Sequence, residues 1–341
     1  MPGYIVYALS ATALPLARSL GAALDAPVHA PARLAEPGMH GFDSLSSLVA
    51  ATFQRHEGHV FVAAAGIVVR AIAPHLTTKE RDPAVVCLDP GGEFAVSLLS
   101  GHLGGGNALA RRCAAISGGQ AVITTATDCA GLPSLDMLAR ERNMAIGNLG
   151  RVKTVNAALL EGKTVQLFDP GDYLRATDSE YFRTVADRGL WREGEPGVWV
   201  SWRRDCPDEG ALRLYPRVLM LGVGCRRGVA GSDISDHIRD VFRAAGLSFL
   251  SIGGLGSIEA KADEAGLLEA AEGLGVVPVF FAAGQLDGVD APNPSGTVMR
   301  RMGVASVAEA SAILLAGGGE LLVEKTKTRN VTLAVARSKT C

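Results

Sequence analysis

Two side chains with proton-transfer or nucleophilic chemistry stand two positions apart in the densest glycine run of the chain. Ser100 and His102 sit within Ser100-Gly101-His102-Leu103-Gly104-Gly105-Gly106. An imidazole titrates near neutral pH and serves as general acid or base. A serine hydroxyl is a possible covalent nucleophile. The G-x-S-x-G spacing is absent, however, and a hydroxyl beside a glycine turn usually bonds backbone. The loop follows the apolar run Phe94–Leu99, and a helix is expected beyond it. Asn107 would be its N-cap, Ala108–Ile116 its body, and Gly118 would lie past its end. A β-branched strand, Ala121–Thr125, comes next and is closed by Asp128.

Strand, glycine loop and helix N-terminus together make a place where backbone N–H groups at Gly104–Asn107 point at a bound anion. The plainer alternative is that the glycines permit a tightly packed turn. Gly101 and Gly106 have the spacing of a nucleotide-binding loop, but Asn107-Ala108 stand where lysine and a hydroxyl residue belong. A nucleoside triphosphate with magnesium is therefore a poor candidate, and a carboxylate or the polar edge of a larger ligand a better one.

A second glycine-rich turn, Gly222-Val-Gly224-Cys225-Arg226-Arg227-Gly228, follows an expected strand at Val218–Val223. Its third glycine comes too late for a dinucleotide fingerprint, and no acidic residue clearly ends a second strand. Arg226 and Arg227 either grip carboxylates bidentately or form a solvated basic turn. No histidine is identifiable as a partner for Cys225, so a structural or electrostatic role suits it better.

The elements that must position these residues read as an α/β protein. Asp89-Pro90-Gly91-Gly92 turns a hairpin between Ala84–Leu88 and Phe94–Leu99. Ahead of it lie a strand at Tyr4–Leu9, helices at Leu14–Leu24 and Phe42–Arg55, and a buried strand at His59–Ala64. Gly66 then opens a short helix carrying Arg70. This alternation predicts a doubly wound, mainly parallel sheet over residues 1–128, with ligands bound beyond the carboxyl ends of its strands. The glycine loop is expected at such an end.

Residues 129–211 read as a small middle domain. It has helices at Leu135–Arg142 and Arg151–Leu160, a strand at Val198–Trp202, and Pro207–Gly210 as a linker. Residues 212–341 read as a second α/β domain with a mixed sheet. Its expected helices are Ser232–Ala245 (capped by Ser232 or Asp233), Asp263–Leu274 and Val307–Leu315, and its strands Phe249–Ile252 and Val276–Ala282. Leu321–Lys325 and Val331–Ala336 make a closing β-hairpin.

Composition narrows the function classes. Glycine contributes 41 of 341 residues, above the usual 7%, as suits an α/β chain with many turns. A formal net charge of −2 argues against a nucleic-acid-binding surface. The cysteines at 87, 113, 129, 206, 225 and 341 form no C-x-x-C, and H-E-x-x-H is absent, so reduced cytoplasmic thiols and no protein-held metal are expected. The first 17 residues carry no charged side chain but lack the basic start of a signal peptide, and no segment reads as a membrane span.

Several runs resemble one known family. Gly66-Ile-Val-Val-Arg70-Ala-Ile-Ala-Pro74, Lys79, Asp82-Pro83-Ala84-Val85, the stretch SLLSGHLGGGNALA and ITTATD are similar to the cobalt-precorrin-5A hydrolases of oxygen-independent cobalamin synthesis. So are GVGCRRG, Ser257-Ile-Glu-Ala-Lys261 with Glu264, the run Gly303 to Ala310, and Leu-Val-Glu-Lys325. This last third also resembles a stand-alone protein of the aerobic pathway. One departure is visible: Gly105-Gly106-Asn107 stands where the family has Gly-Ala-Asn, which keeps the backbone permissive.

The resemblance implies hydrolysis of the ring-A lactone of cobalt-precorrin-5A with loss of acetaldehyde. It implies no redox cofactor, the cobalt being carried in the substrate. His102 is then the expected base, with Ser100 as a second catalytic candidate and direct attack by water favoured. The expected substrate-binding residues are Gly101, Gly104, Gly105, Gly106, Asn107, Arg70, Lys79, Thr125, Asp128, Arg226, Lys261, Glu264 and Lys325. Partners would be the tetrapyrrole itself, with no nucleic acid and no membrane; a homo-oligomer or transient contact with neighbouring pathway enzymes is compatible with this. A non-catalytic tetrapyrrole carrier would use the same carboxylate-binding groups, and a nucleotide-binding enzyme of doubly wound type is a third reading.

Overall fold

The computed structural model describes residues 3–339 except 79–80, 103, 133, 177–178, 297–298 and 301–302, and leaves the side chains of 127 and 129 undescribed. Lys79 therefore lies outside the described residues. The chain divides into two compact units, Met1–Met137 and Leu138–Cys341.

The first unit holds seven strands. These are β1 (Tyr4–Ala8), β2 (Val28–Pro31), β3 (His40–Phe42), β4 (Gly58–Val62), β5 (Ala84–Leu88), β6 (Phe94–Leu99) and β7 (Gln120–Val122), in the order β3-β2-β1-β4-β5-β6-β7. All neighbours are parallel except β5 and β6. The inner strands β4 and β5 are apolar runs buried from end to end, as a sheet covered on both faces requires. Alternate residues feed two cores. Val6, Val60 and Val86 face the Leu14–Leu24 and Gly106–Ser117 helices, while Ile5, Phe61 and Val85 face the Leu45–Thr52 and Ala65–Ile72 helices. Helices on both faces make the sheet doubly wound, as expected.

Three local expectations change. Phe42 belongs to β3, and the second helix begins only at Leu45, where Ser44 accepts the Ser47 N–H at 3.3 Å as its N-cap. Strands β2 and β3 were not legible, being four and three residues long with no apolar run. The Ala121–Thr125 strand shrinks to β7, and Asp128 sits in a short helix, Ala126–Cys129.

The Asp89–Gly92 hairpin forms as read. Asp89 accepts the N–H groups of Gly91 and Phe94, and Gly92 takes φ 75°. It also relocates the glycine loop. Because β6 runs back along β5, pairing Ala95 with Leu88 and Leu99 with Val85, the loop emerges where β1, β4 and β5 begin. The expectation that it lies beyond the carboxyl ends of those strands is therefore corrected: it lies at the carboxyl ends of β6 and β7 only.

In the second unit one sheet contains β8 (Met144–Ile146), β9 (Val165–Phe168), β10 (Phe182–Thr184), β11 (Gly197–Val200) and β12 (Leu212–Pro216), ordered β10-β9-β11-β12-β8. Leu212–Pro216 thus belongs to the middle sheet, which runs past residue 211. Pro207–Gly210 is a turn between two neighbouring strands of that sheet rather than a linker, closed by Asp208 through the N–H groups of Gly194 and Gly210.

The other sheet contains β13 (Leu219–Cys225), β14 (Ile252–Ile258), β15 (Pro278–Phe281), β16 (Glu320–Lys327) and β17 (Val331–Arg337), ordered β15-β14-β13-β17-β16. Strands β13–β15 are parallel, and β16–β17 form the expected closing hairpin. Phe249–Ser251 is a single 3-10 turn rather than the start of a strand. The Gly231–Ala245 helix is capped by Ala230 without a side-chain bond, not by Ser232 or Asp233. The glycines of Gly222-Val-Gly224 serve packing: a side chain at Gly222 would run into the backbone of the Ala308–Leu315 helix, and one at Gly224 into Thr332. No helix among the described residues is long and apolar enough to cross a membrane.

Candidate active site

The glycine loop is held from within. Ser100 adopts φ 54°, and its hydroxyl donates to the Asp82 carbonyl at 2.7 Å. Asp82 is itself buried, its carboxylate accepting the N–H and hydroxyl of Thr77. The Ser100 hydroxyl thus anchors the loop to Asp82, and through it to Thr77, a structural role that does not match its candidacy as nucleophile. The N–H groups of Gly105, Gly106 and Asn107 donate to the carbonyls of His102, Ser100 and Gly101 at 2.8, 2.9 and 2.8 Å. The expected anion donors at these three positions are therefore engaged inside the loop.

Packing explains the glycines instead. A Cβ at Gly101 would lie 2.7 Å from Asn107 Oδ1, one at Gly106 2.5 Å from the Leu99 carbonyl, and one at Gly104 would collide with Ser100. Gly105, at φ 83°, is the N-cap in place of Asn107. Asn107 lies inside the first helical turn, which frees its side chain to reach out of the helix.

That side chain joins a cluster around one carboxylate. Asp128 Oδ2 accepts from His102 Nε2 at 2.9 Å, Asn107 Nδ2 at 2.9 Å and Thr125 Oγ1 at 2.7 Å, while Oδ1 accepts from Arg111 Nη2 at 2.7 Å. Asn107 Nδ2 also reaches Thr125 Oγ1 at 2.9 Å. Burial works to raise the Asp128 carboxyl, but the donors from Thr125, Arg111 and His102 outweigh it and hold it below the ordinary carboxylate range. An ionised carboxylate requires a hydrogen on Nε2, so the basic nitrogen of the neutral His102 ring is Nδ1. The side chains of His102 and Asp128 are 19% and 22% exposed, so water reaches the pair.

Of the residues expected in this unit, the fold brings His102, Asn107, Thr125 and Asp128 together. Arg70 is not in the cluster: it lies exposed on the Ala65–Ile72 helix and donates back to Gly66 at 3.0 Å. Sequence reading missed Arg111. The available signal was its position four residues after Asn107, on the same helix face.

The second unit collects another group at the carboxyl ends of β13 and β14. Lys261 and Glu264 are buried together at 3.3 Å, and Glu264 Oε1 accepts the Gly228 N–H at 2.7 Å. The pair braces the Cys225–Gly228 turn, so Lys261 does not present a free cation. Arg226 is exposed, its N–H held by the Asn330 carbonyl; Arg227 pairs with Asp263 at 3.0 Å.

Lys325 is tied down too, its ammonium bonded to the Asn293 carbonyl and its N–H to Glu309. Glu309, fully buried and absent from the expected site residues, also accepts from Asn293 and Ser306. Burial raises its carboxyl, but these donors hold it below the ordinary range.

Comparison with known proteins places the chain in a family. The cobalt-precorrin-5A hydrolase of Salmonella typhimurium is 33% identical over 97% of this chain and 96% of its own, and that of Priestia megaterium 31% identical over 86% and 82%. The chain belongs to the cobalt-precorrin-5A hydrolase family. The family's regions match in order: cobalamin synthesis G N-terminal over residues 47–128, the cobalamin biosynthesis central region over 133–216, and the cobalamin synthesis G C-terminus over 219–336. The first contains the whole His102–Asp128 cluster, and the last contains Lys261, Glu264 and Glu309. Protein CobE of a Sinorhizobium species is 30% identical over 35% of this chain and 79% of its own.

Proposed function

We propose that this protein opens the ring-A lactone of cobalt-precorrin-5A and releases its two-carbon unit as acetaldehyde, giving cobalt-precorrin-5B. The observation that carries the mechanism is the His102–Asp128 pair, an imidazole oriented through Nε2 by an ionised carboxylate in a water-accessible loop. His102 takes a proton from a water that attacks the lactone carbonyl, and Asp128 steadies the resulting imidazolium. Collapse of the tetrahedral adduct breaks the ring C–O bond, leaving a carboxylate and, once protonated by His102, a hydroxyl on the two-carbon substituent.

The same base then removes that hydroxyl's proton. The adjacent carbon–carbon bond breaks in a retro-aldol sense, acetaldehyde leaves, and the conjugated macrocycle accepts the electron pair and then a proton. Neither step changes oxidation state overall, so the reaction calls for no redox cofactor, and the cobalt belongs to the substrate. With the Ser100 hydroxyl tied to Asp82, direct attack by water is the economical path. We place the protein in the cytoplasm, as a pathway enzyme without nucleic-acid or membrane partners.

The test is acetaldehyde release from cobalt-precorrin-5A by protein stripped with chelator, without added metal or nucleotide. Stoichiometric binding without any acetaldehyde would favour the carrier reading instead. A strict need for added zinc would overturn the mechanism above.

A further inference from the structure

We propose that Arg111 is the carboxylate-binding residue of this site, holding one acidic side chain of the macrocycle beside the His102–Asp128 pair. The inference rests on the reading of that pair as the acid–base centre. It begins from a shortage. The N–H groups of Gly105, Gly106 and Asn107 all donate to carbonyls of their own loop, and the Asn107 amide donates to Thr125 and Asp128. Recognition of a polyanionic ligand here falls to a cationic side chain.

Arg111 has the required geometry. It stands one helical turn beyond Asn107 in the Gly106–Ser117 helix, and one nitrogen, Nη2, is fixed to Asp128 Oδ1 at 2.7 Å. Its side chain is 58% exposed. A guanidinium carries five N–H donors in a planar fork, so anchoring through one nitrogen leaves others for a bidentate carboxylate. The anchor also restricts the long side chain before the ligand arrives, which lowers the ordering cost of binding.

The ion pair alone is a weak reason for an arginine here. An exposed pair contributes about 0–1 kcal/mol, and Asp128 already accepts three other hydrogen bonds. The neighbouring Arg112 provides the contrast. It donates to the Ala23 carbonyl at 2.9 Å and lies over the Tyr4 ring, bracing the fold away from the cluster. One carboxylate thus bridges the base and the guanidinium, so a substrate held at Arg111 is tethered within reach of His102. This suits a large macrocycle whose acidic arms lie at a distance from the reacting lactone.

The experiment measures equilibrium binding of cobalt-precorrin-5A by absorbance titration, separately from the steady-state rate of acetaldehyde release. The variants are Arg111→Gln, Arg111→Lys and Arg111→Glu, with Arg112→Gln as control, each checked for its fold by circular dichroism. Losing a charge-assisted hydrogen bond should raise Kd and KM roughly ten- to hundredfold in Arg111→Gln, with kcat within about threefold of the parent. Lysine should recover part of the loss, glutamate should bind worst, and Arg112→Gln should bind like the parent.

Unchanged Kd in both Arg111→Gln and Arg111→Glu would overturn the proposal. So would a fall in kcat at constant KM, which would make Arg111 a partner of Asp128 only. Because Kd is read without turnover, a parent protein that binds but releases no acetaldehyde would defeat the hydrolase reading while leaving this test intact.

Discussion

Two clusters of ionisable side chains, one in each unit, are built in opposite ways. In the first, His102, Asp128 and Arg111 share one carboxylate at a water-accessible loop, so a proton or a ligand carboxylate can come and go. In the second, Lys261, Glu264 and Glu309 are buried and bonded to one another or to backbone N–H groups, which fixes the Cys225–Gly228 turn and the Asn293 segment in place. Similar residue types are thus left open to water in one cluster and locked away from it in the other. A buried charge pair is costly to break and slow to exchange, which suits bracing rather than catalysis.

The largest effect should come from the exposed site. His102→Gln keeps a hydrogen-bonding side chain but no proton shuttle, and kcat for acetaldehyde release should fall on the order of 10²–10⁴ with Kd nearly unchanged. Weaker binding at an unchanged saturating rate would make His102 a positioning residue and erase the contrast.

Next come the braced residues. Lys261→Met leaves Glu264 as an uncompensated buried charge and should cost about 3–5 kcal/mol in denaturant unfolding, with most of it restored in Lys261→Met/Glu264→Leu. A loss near zero in the single variant would mean that water relieves the pair and that the two regions are alike.

A pH titration sharpens the picture within the first unit. His59 is buried between the Tyr7 hydroxyl and the Phe53 carbonyl, and burial lowers it to about 4. His29 is also lowered to about 4, by burial first and then by neighbouring His40 and His56. Below pH 6.5 the unfolded chain binds protons that the folded chain refuses, so stability is lost as pH falls from about 6.5 towards 4. The Asp128 contribution, from a lowered carboxyl, is lost only at more acid pH. Thermal unfolding followed from pH 7 to pH 4 should show the first-unit transition falling, less steeply in His29→Gln; a flat profile would contradict this assignment.

The smallest effect is expected at Gly105→Ala. Its φ of 83° disfavours a side chain, and the cost should be about 1 kcal/mol of stability with KM unchanged, because its N–H already bonds inside the loop. A KM raised tenfold at intact stability would return this glycine to the ligand-binding surface.

Local order was legible wherever the chain's own neighbours decide it. The Leu14–Leu24 helix was readable to the residue, and the Asp89–Gly92 hairpin was readable from turn chemistry that acts within five residues. The glycine loop and its histidine stood out as a candidate site for the same reason. Helix boundaries drifted where a cap was assigned by residue type: the caps expected at Asn107 and Ser232 lie two residues earlier, at Gly105 and Ala230.

By itself, then, the sequence determined the class of fold, the family and the loop that carries His102, because periodicity, turn residues and short motifs act over a few positions along the chain. Only the tertiary structure decided which edge of the sheet that loop occupies, since the reversal of β6 is a matter of strand pairing. It also decided that Asp128 gathers His102 and Arg111 from 26 and 17 residues away, and that Lys261 turns inward to Glu264. Those outcomes depend on packing that brings distant side chains within hydrogen-bond reach and excludes water from some of them. Neither is written in the local order of residues.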